Sequence, residues 1–574
     1  MKKLRIIRPY LKGSISLVIL SLVCAFIAIG SKLAIPLLAG KVINQFVSSE
    51  EVIDVEVTMI LMFSLVAIGT IFRYLFDYLT GYIGAKTVKK IRDDVFSSYM
   101  HGLVKDIKSE ENGDLVLRLV NDVENVQTGL VSGFAAFYDG IVTILMTIVF
   151  MFILNWVLAL IVIILTPISI VVSRFISKFN SKHFKAQAKD AGTINGFVNE
   201  TLVNSETITL YGLKESKNNE FNELNEKYHA DNFKANMGAS IINPSTRLVN
   251  AFINAIVIIV GALIIIQDWK LGIVFLVGDL SSFLTYSANF MQPFNEISDV
   301  LAEINYAFAS LSRISEAINI EKEDVDSGNL VPETIDTIKA NNISFSYVPG
   351  KKIISNYSFA ASRGKKIALV GPTGCGKTTV LSILMRFYEL DDGKIEINNE
   401  DLATISKKDY RKKIGMVLQE PWIFSGTVYE NIAYAKKGAS KEEVIQAAKK
   451  AQAYGFIQRL PQGIDTYISD SSGLSLGEKQ LISVTRIILL SPEIVILDEA
   501  TSNIDIRTEF LLAKSFDELM RGKTSFVVAH RLSTIVNSDL ILVMKDGEIV
   551  ESGTHKELLE KNGFYHKMYS SQFN

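Results

Sequence analysis

The sequence predicts two joined folds: a polytopic α-helical membrane domain with long cytoplasmic helix extensions, followed by an α/β domain built around a phosphate-binding loop. Three observations carry that prediction. Nearly all of the long apolar runs lie before residue 300. Residues 371–378 read Gly-Pro-Thr-Gly-Cys-Gly-Lys-Thr directly after the short apolar strand Ile367–Val370. A second apolar strand, Ile494–Leu497, ends in the adjacent acids Asp498 and Glu499.

At 574 residues the chain is too long for a single core. A hydrophobic content of 48% and a mean hydropathy of +0.26 are too apolar for an ordinary soluble protein. The net charge of −2, with no basic tract, gives no nucleic-acid footprint. Cys24 sits in an apolar run and Cys375 in the phosphate loop, so the two cysteines form no disulfide framework and suit a reducing compartment.

The membrane domain is predicted over residues 1–320. Its basic start (Lys2, Lys3, Arg5 and Arg8) and the apolar stretch from Ile15 imitate a signal peptide. That stretch outruns the roughly 7–15 residues of a signal core, so it reads as a retained first span. Six apolar runs, near 15–43, 57–85, 133–155, 157–178, 244–267 and 271–295, reach the roughly 20 residues a bilayer requires. The loop Ser48–Glu56 has four acids and no Lys or Arg, whereas 86–132 and 174–247 are rich in both. The positive-inside rule therefore places the two long segments, both termini and the phosphate loop in the cytoplasm. Helical spacing of Val88, Ile91, Val95, Phe96 and Tyr99 continues the spans beyond the membrane, with turns at Glu111–Asp114 and Glu206–Gly212.

Ionisable residues within the spans are costly in lipid and point to function by default. They are Lys32, Arg73, Asp77, Asp139 and Asp279. Arg73 and Asp77, four apart on one helix, suit a simple ion pair as well as a functional role. Asp279 heads a polar stripe with Ser281, Ser282, Thr285, Tyr286 and Asn289. Asp279, Tyr286 and Asn289 are accordingly the candidates for a water-accessible substrate cavity. Hydrogen bonds between packed helices are the alternative reading of the same stripe.

Residues 321–334, acidic and containing Gly328 and Pro332, form the predicted linker, and 335–574 the α/β domain. The strand Ile343–Tyr347 ends in an aromatic side chain placed to stack on a base. In the phosphate loop, Gly371, Gly374 and Gly376 free the backbone to turn successive N–H groups toward an anion. Lys377 brings charge to the β- and γ-phosphates of a nucleoside triphosphate, and Thr378 offers a hydroxyl to Mg²⁺. The next helix adds its positive dipole end. Asp498 is placed to hold Mg²⁺ through water, and Glu499 to polarise a water attacking the γ-phosphate. Between these elements, Leu474-Ser-Leu-Gly-Glu478 opens a helix with Ser475 as a plausible N-cap and anion site.

Together these residues resemble an ATP-binding cassette (ABC) exporter half-transporter, with six spans fused to one nucleotide-binding domain. The resemblance covers essentially the whole chain. It implies that Tyr347 is the base-stacking A-loop residue and that Gly371, Pro372, Thr373, Gly374, Cys375, Gly376, Lys377, Thr378 and Thr379 form Walker A. It further implies that Gln419 is the Q-loop residue at Mg²⁺ and that Asp498 and Glu499 are Walker B and the catalytic glutamate. Asp505 matches the D-loop, and His530 the switch histidine at the γ-phosphate. Ser475, Leu476, Gly477 and Glu478 match the signature that faces the partner's ATP.

The resemblance also implies a dimer sandwiching two ATP molecules, and coupling helices at the two cytoplasmic turns. It implies a multi-pass place in a bacterial cell membrane and an amphipathic cargo: a drug, lipid or peptide. The usual signature is Leu-Ser-Gly-Gly-Gln; here Leu476 adds bulk and Glu478 negative charge. That departure beside an intact Lys377, Glu499 and His530 is similar to the catalytic-glutamate half of heterodimeric bacterial multidrug exporters. A homodimer with a tolerated variant signature, and an ATP-gated channel on the same scaffold, are the alternatives.

Overall fold

The computed structural model describes residues 4–48, 54–267, 275–470, 472–498, 504–528 and 535–573. Its chain divides into two compact units: residues 1–100 with 110–320, and 101–109 with 321–574.

The first unit is helical. The helices of residues 4–318 are α1 (Leu4–Leu11), α2 (Ile15–Ser48), α3 (Val55–His101), α4 (Val104–Lys108), α5 (Asn112–Leu117), α6 (Val123–Thr128), α7 (Phe134–Leu154), α8 (Trp156–Val203), α9 (Ser205–Leu210), α10 (Lys214–Ile266) and α11 (Val277–Ile318). The short α4 clusters with the second unit. Among the described residues five helices are long and apolar enough to cross a membrane. The sixth apolar run begins in residues 271–274, outside the described residues, and continues as α11. Apolar side chains such as Ile60, Phe63 and Ile71 stand exposed along α3, as lipid-facing positions do.

The helix breaks have local causes. Asn155, extended between α7 and α8, accepts hydrogen bonds from the Val157 and Leu158 N–H groups, so a one-residue corner caps the next span. The predicted turn at Glu206–Gly212 forms α9 and ends at Gly212, whose φ of +67° is the left-handed conformation glycine takes most readily. In the extensions, the buried Asp122 is held by Arg313 and by Ser310, so its charge is matched.

The α2–α11 seam is a ladder of polar contacts at one-turn spacing. Gly278 N–H donates to Asn44 Oδ1 (2.6 Å), Ser282 Oγ to the Pro36 carbonyl (2.6 Å) and Tyr286 OH to the Leu33 carbonyl (2.6 Å). A Cβ on Gly278 would lie 1.9 Å from the Gly40 oxygen, so only glycine permits this approach. Membrane helices without a hydrophobic drive to associate are held by such small-residue, hydrogen-bonded seams.

The second unit contains the strands β1 (Thr337–Val348), β2 (Lys351–Ser362), β3 (Lys366–Val370), β4 (Asp392–Ile397), β5 (Glu400–Asp401), β6 (Ile414–Val417), β7 (Gly426–Thr427), β8 (Tyr467–Ile468), β9 (Ile494–Asp498), β10 (Thr524–Val528), β11 (Leu540–Lys545) and β12 (Glu548–Gly553). The main sheet runs β12-β11-β3-β10-β9-β6, parallel except for β12. An antiparallel sheet, β2-β1-β4-β5, packs its core with the first, Ile338, Tyr357 and Ile397 meeting Ile367, Leu369 and Phe526. The central strands are buried on both faces, which explains their unbroken apolar sequences. In a parallel sheet ligands gather beyond the carboxyl ends of the strands, where β3 and β9 deliver the phosphate loop and Asp498.

Candidate ATP site

β3 ends at Val370, and the chain turns through 371–376 into α12 (Lys377–Leu384). Gly374 and Gly376 have φ of +83° and +101°, conformations a side chain would strain. Gly371 is required for space: a Cβ there would lie 2.2 Å from the Met544 oxygen and 2.8 Å from Cys375 Sγ. Lys377 is nearly buried, its ammonium donating to the Gly371 carbonyl (2.8 Å) and the Pro372 carbonyl (3.0 Å). The loop thus satisfies its own cation, and an incoming phosphate competes with those two carbonyls for it. Burial pushes the Cys375 thiol above its ordinary value, the neighbouring Lys377 charge only partly opposing this.

Thr378 and Asp498, 120 residues apart in sequence, meet across the sheet, the hydroxyl donating to Asp498 Oδ2 at 3.5 Å. A hydroxyl beside a carboxylate at the mouth of an anion cradle is a hard-oxygen pair of the kind Mg²⁺ takes with substrate phosphates. These two residues would hold the ion, which when bound neutralises phosphate charge. Tyr347, at the end of β1 and half exposed, donates to Thr379 Oγ1 (3.2 Å). Edge-on contacts with Phe345 and Tyr388, 4.9 and 5.1 Å between ring centres, hold its ring upright beside α12. The structure therefore brings Tyr347, the 371–379 loop and Asp498 together.

Gln419 lies just after β6 and is exposed, its carbonyl accepting from Gln480 Nε2 (2.8 Å). Glu499 and His530 lie outside the described residues.

The signature segment opens the helix Leu476–Leu490 with Ser475 as N-cap. Ser475 Oγ accepts from the Glu478 N–H (3.2 Å), and Glu478 Oε2 accepts from the Ser475 N–H (3.0 Å), a complete capping box. The acid at the departing position is thus spent on its own helix start. Leu476 is 37% exposed. Gly477 cannot be enlarged, since a Cβ would lie 2.3 Å from Thr508 Cγ2 on the helix Ile506–Met520. Asp505 caps that second helix, accepting from the Thr508 N–H at 2.9 Å. The Thr508 hydroxyl and N–H together hold its carboxyl below the ordinary range.

Sequence reasoning missed the polar stitch between the Gln419 segment and the signature helix. Arg486, nearly buried, donates to the Trp422 carbonyl (2.6 Å), the Asn431 carbonyl (2.5 Å) and Asn431 Oδ1 (2.7 Å). A charged residue inside the apolar helical pattern Ile482–Leu490 was the available signal.

The membrane candidates need correction. Tyr286 is fully buried, stacked on Phe150 at 5.3 Å, and its hydroxyl is spent on the α2 seam. Asp279 accepts from the Leu276 N–H (2.9 Å) and so caps the start of α11. A cavity of about 950 Å³ in this unit is lined instead by α2, α3 and α7 with Gln292 and Pro293, and not by Asp279, Tyr286 or Asn289.

Comparison with known proteins agrees with both halves. The ABC transporter transmembrane region family matches residues 18–294, and the ABC transporter family matches 354–502. The uncharacterized ABC transporter ATP-binding protein YfiC of Bacillus subtilis is 34% identical over 99% of this chain and 94% of its own. The fatty acid ABC transporter ATP-binding/permease protein of Mycobacterium tuberculosis is 33% identical over 84% of this chain and 76% of its own. Among solved structures, a bacterial Atm1-family ABC exporter with ATP bound superimposes with a TM-score of 0.78 at 25% identity, covering 97% of this chain and 98% of that one.

Proposed function

Because the chain belongs to the ABC transporter family, with membrane and ATP-binding domains of the exporter type on one polypeptide, we propose that it is one half of a heterodimeric bacterial exporter that moves amphipathic cargo out of the cytoplasm. Transport ATPase activity comes with the family. In the proposed assignment residues 1–320 are the membrane domain, 321–334 the linker and 335–574 the ATPase. Tyr347 stacks the base, the N–H groups of 371–379 and the Lys377 ammonium bind the phosphates, and Thr378, Asp498 and Gln419 surround Mg²⁺. Glu499 orients the attacking water and His530 contacts the γ-phosphate. Asp505 acts at the interface with the partner.

The Leu476 side chain carries the heterodimer reading. It stands exposed at the helix start that the family presents to the partner's ATP, where backbone N–H groups must approach phosphate. In a homodimer both sites would meet that bulk; beside a different half-transporter only one does, and it holds ATP while the other turns over. A homodimer is the second reading, favoured by the intact Ser475–Glu478 capping box, which makes the altered acid a sound helix start. The fatty acid relative supports a cargo with an apolar tail. Expression of the chain alone decides between the two: low ATPase activity rising with a co-expressed half-transporter supports the heterodimer, and a stable homodimer with full cargo-stimulated activity overturns it.

A further inference from the structure

Four charged side chains from three helices meet in the 950 Å³ cavity of the membrane unit: Lys32 of α2, Arg73 and Asp77 of α3, and Asp139 of α7. Arg73 is committed, pairing with Asp77 through Nε (3.2 Å) and with Asp139 through Nη1. Two valences are left over. Asp139 Oδ1 is buried without a hydrogen-bond donor among the described residues. Lys32 is exposed on the cavity wall, and no ion pair or hydrogen bond among the described residues engages its ammonium. An orphaned buried carboxylate oxygen and an ammonium whose charge meets Asp139 only at longer range are both costly inside a span. Both open on one space whose remaining wall mixes apolar residues such as Leu33, Val66 and Ala135 with Thr70, Thr143 and Gln292.

We propose that this cavity binds an amphiphile whose head group carries a primary ammonium beside an anionic group, the ammonium on Asp139 and the anion on Lys32. The cluster has two cations and two carboxylates, so it is neutral. A purely anionic or purely cationic ligand would leave a net charge in a low-dielectric site, and a zwitterion leaves none. Asp139 Oδ1 asks for an N–H donor, which a primary ammonium has and a trimethylammonium lacks. The apolar part of the wall, with Leu33, Leu65 and Val66, takes the tail. The inference names the cargo class of the exporter proposed above and rests on that reading for the transport step after binding.

The test is equilibrium binding to the purified full-length chain in neutral detergent without nucleotide. A failed exporter reading would then show only in transport, and a failed ligand reading only in binding. The probes share one acyl or alkyl chain: lysophosphatidylethanolamine, lysophosphatidylcholine, the free fatty acid and the primary alkylamine, with phosphoethanolamine as a head group lacking the tail. Lysophosphatidylethanolamine is expected to bind about tenfold or more tighter than each of the others, the scale of one charge-assisted hydrogen bond. Asp139→Asn should erase the preference over lysophosphatidylcholine and the free fatty acid, and Lys32→Gln the preference over the alkylamine. Equal binding of the matched probes, a preference over the alkylamine that survives Lys32→Gln, or equal competition by phosphoethanolamine overturns the proposal. Should Asp139→Asn fail to fold, Lys32→Gln decides through the alkylamine comparison, because no hydrogen bond or ion pair among the described residues engages the Lys32 ammonium.

Discussion

The two units of this chain use polar residues in opposite ways. In the ATP-binding unit the chemistry is written in consecutive residues: a strand, six loop residues and a helix start place the glycines and Lys377 in one cradle, which among the described residues Asp498 and Tyr347 join from elsewhere. In the membrane unit the Ser282 and Tyr286 hydroxyls of the α11 stripe are consumed by packing, while the charges that converge on a cavity come from three separate helices. Local sequence therefore specifies a site where backbone geometry makes it, and misleads where helix faces make it. The face a side chain occupies depends on the neighbouring helix, and that pairing is non-local.

The largest expected effect probes the first half of this contrast. Glu499→Gln should lower ATP hydrolysis by about 10²–10⁴-fold, because it removes the carboxylate proposed to orient water, while ATP binding survives. Steady-state turnover and nucleotide retention measure the two. Turnover within about twofold of the parent would remove Glu499 from the site. The next effect tests close packing behind the signature. Gly477→Ala would drive a methyl group into Thr508, and overpacking of this kind costs about 1–3 kcal/mol. A lower melting temperature that Thr508→Ser partly restores is the expected outcome. Equal melting of the single variant and the parent would show that the two helices separate freely.

Much of the molecule is legible in its sequence for physical reasons. The two-part architecture is readable because apolar runs of bilayer length and a strand–loop–helix cradle are both continuous in sequence. The Asn155 corner and the Ser475 N-cap are likewise local. Less legible are contacts between distant segments. Arg486 reaches Asn431 from 55 residues away, and Tyr286 finds the Leu33 carbonyl from 253 residues away. In the sequence the Glu478 departure reads as charge near phosphate. The structure adds that its carboxylate closes a capping box, which no count of charges reveals.

A chemically mild comparison lies in Cys375. Burial holds its thiol above the ordinary value, so the thiolate fraction at neutral pH is small and the atom itself is enclosed. Alkylation of the native chain by a maleimide should be slower than that of the same chain unfolded, and slower still with ATP present. A native rate equal to the unfolded rate would mean that the loop opens readily.

The smallest expected effect sets the seam against the cavity. Tyr286→Phe removes one hydroxyl and leaves the Leu33 carbonyl without that donor, while the ring keeps its stacking on Phe150. The loss should be about 0.6 kcal/mol, the average for hydrogen bonds between membrane helices, and at most about 1.7 kcal/mol. Stability falls, and the order in which cargoes stimulate ATPase activity should not change, since the hydroxyl faces α2 rather than an open space. Lys32→Gln is the mirror image: a side chain with no hydrogen bond or ion pair among the described residues can leave melting unchanged and still reorder the cargoes. Measuring both variants for melting and for cargo order separates polar groups that hold helices together from polar groups that meet a ligand. If Tyr286→Phe reorders the cargoes at unchanged stability, the α11 stripe is the cargo surface after all.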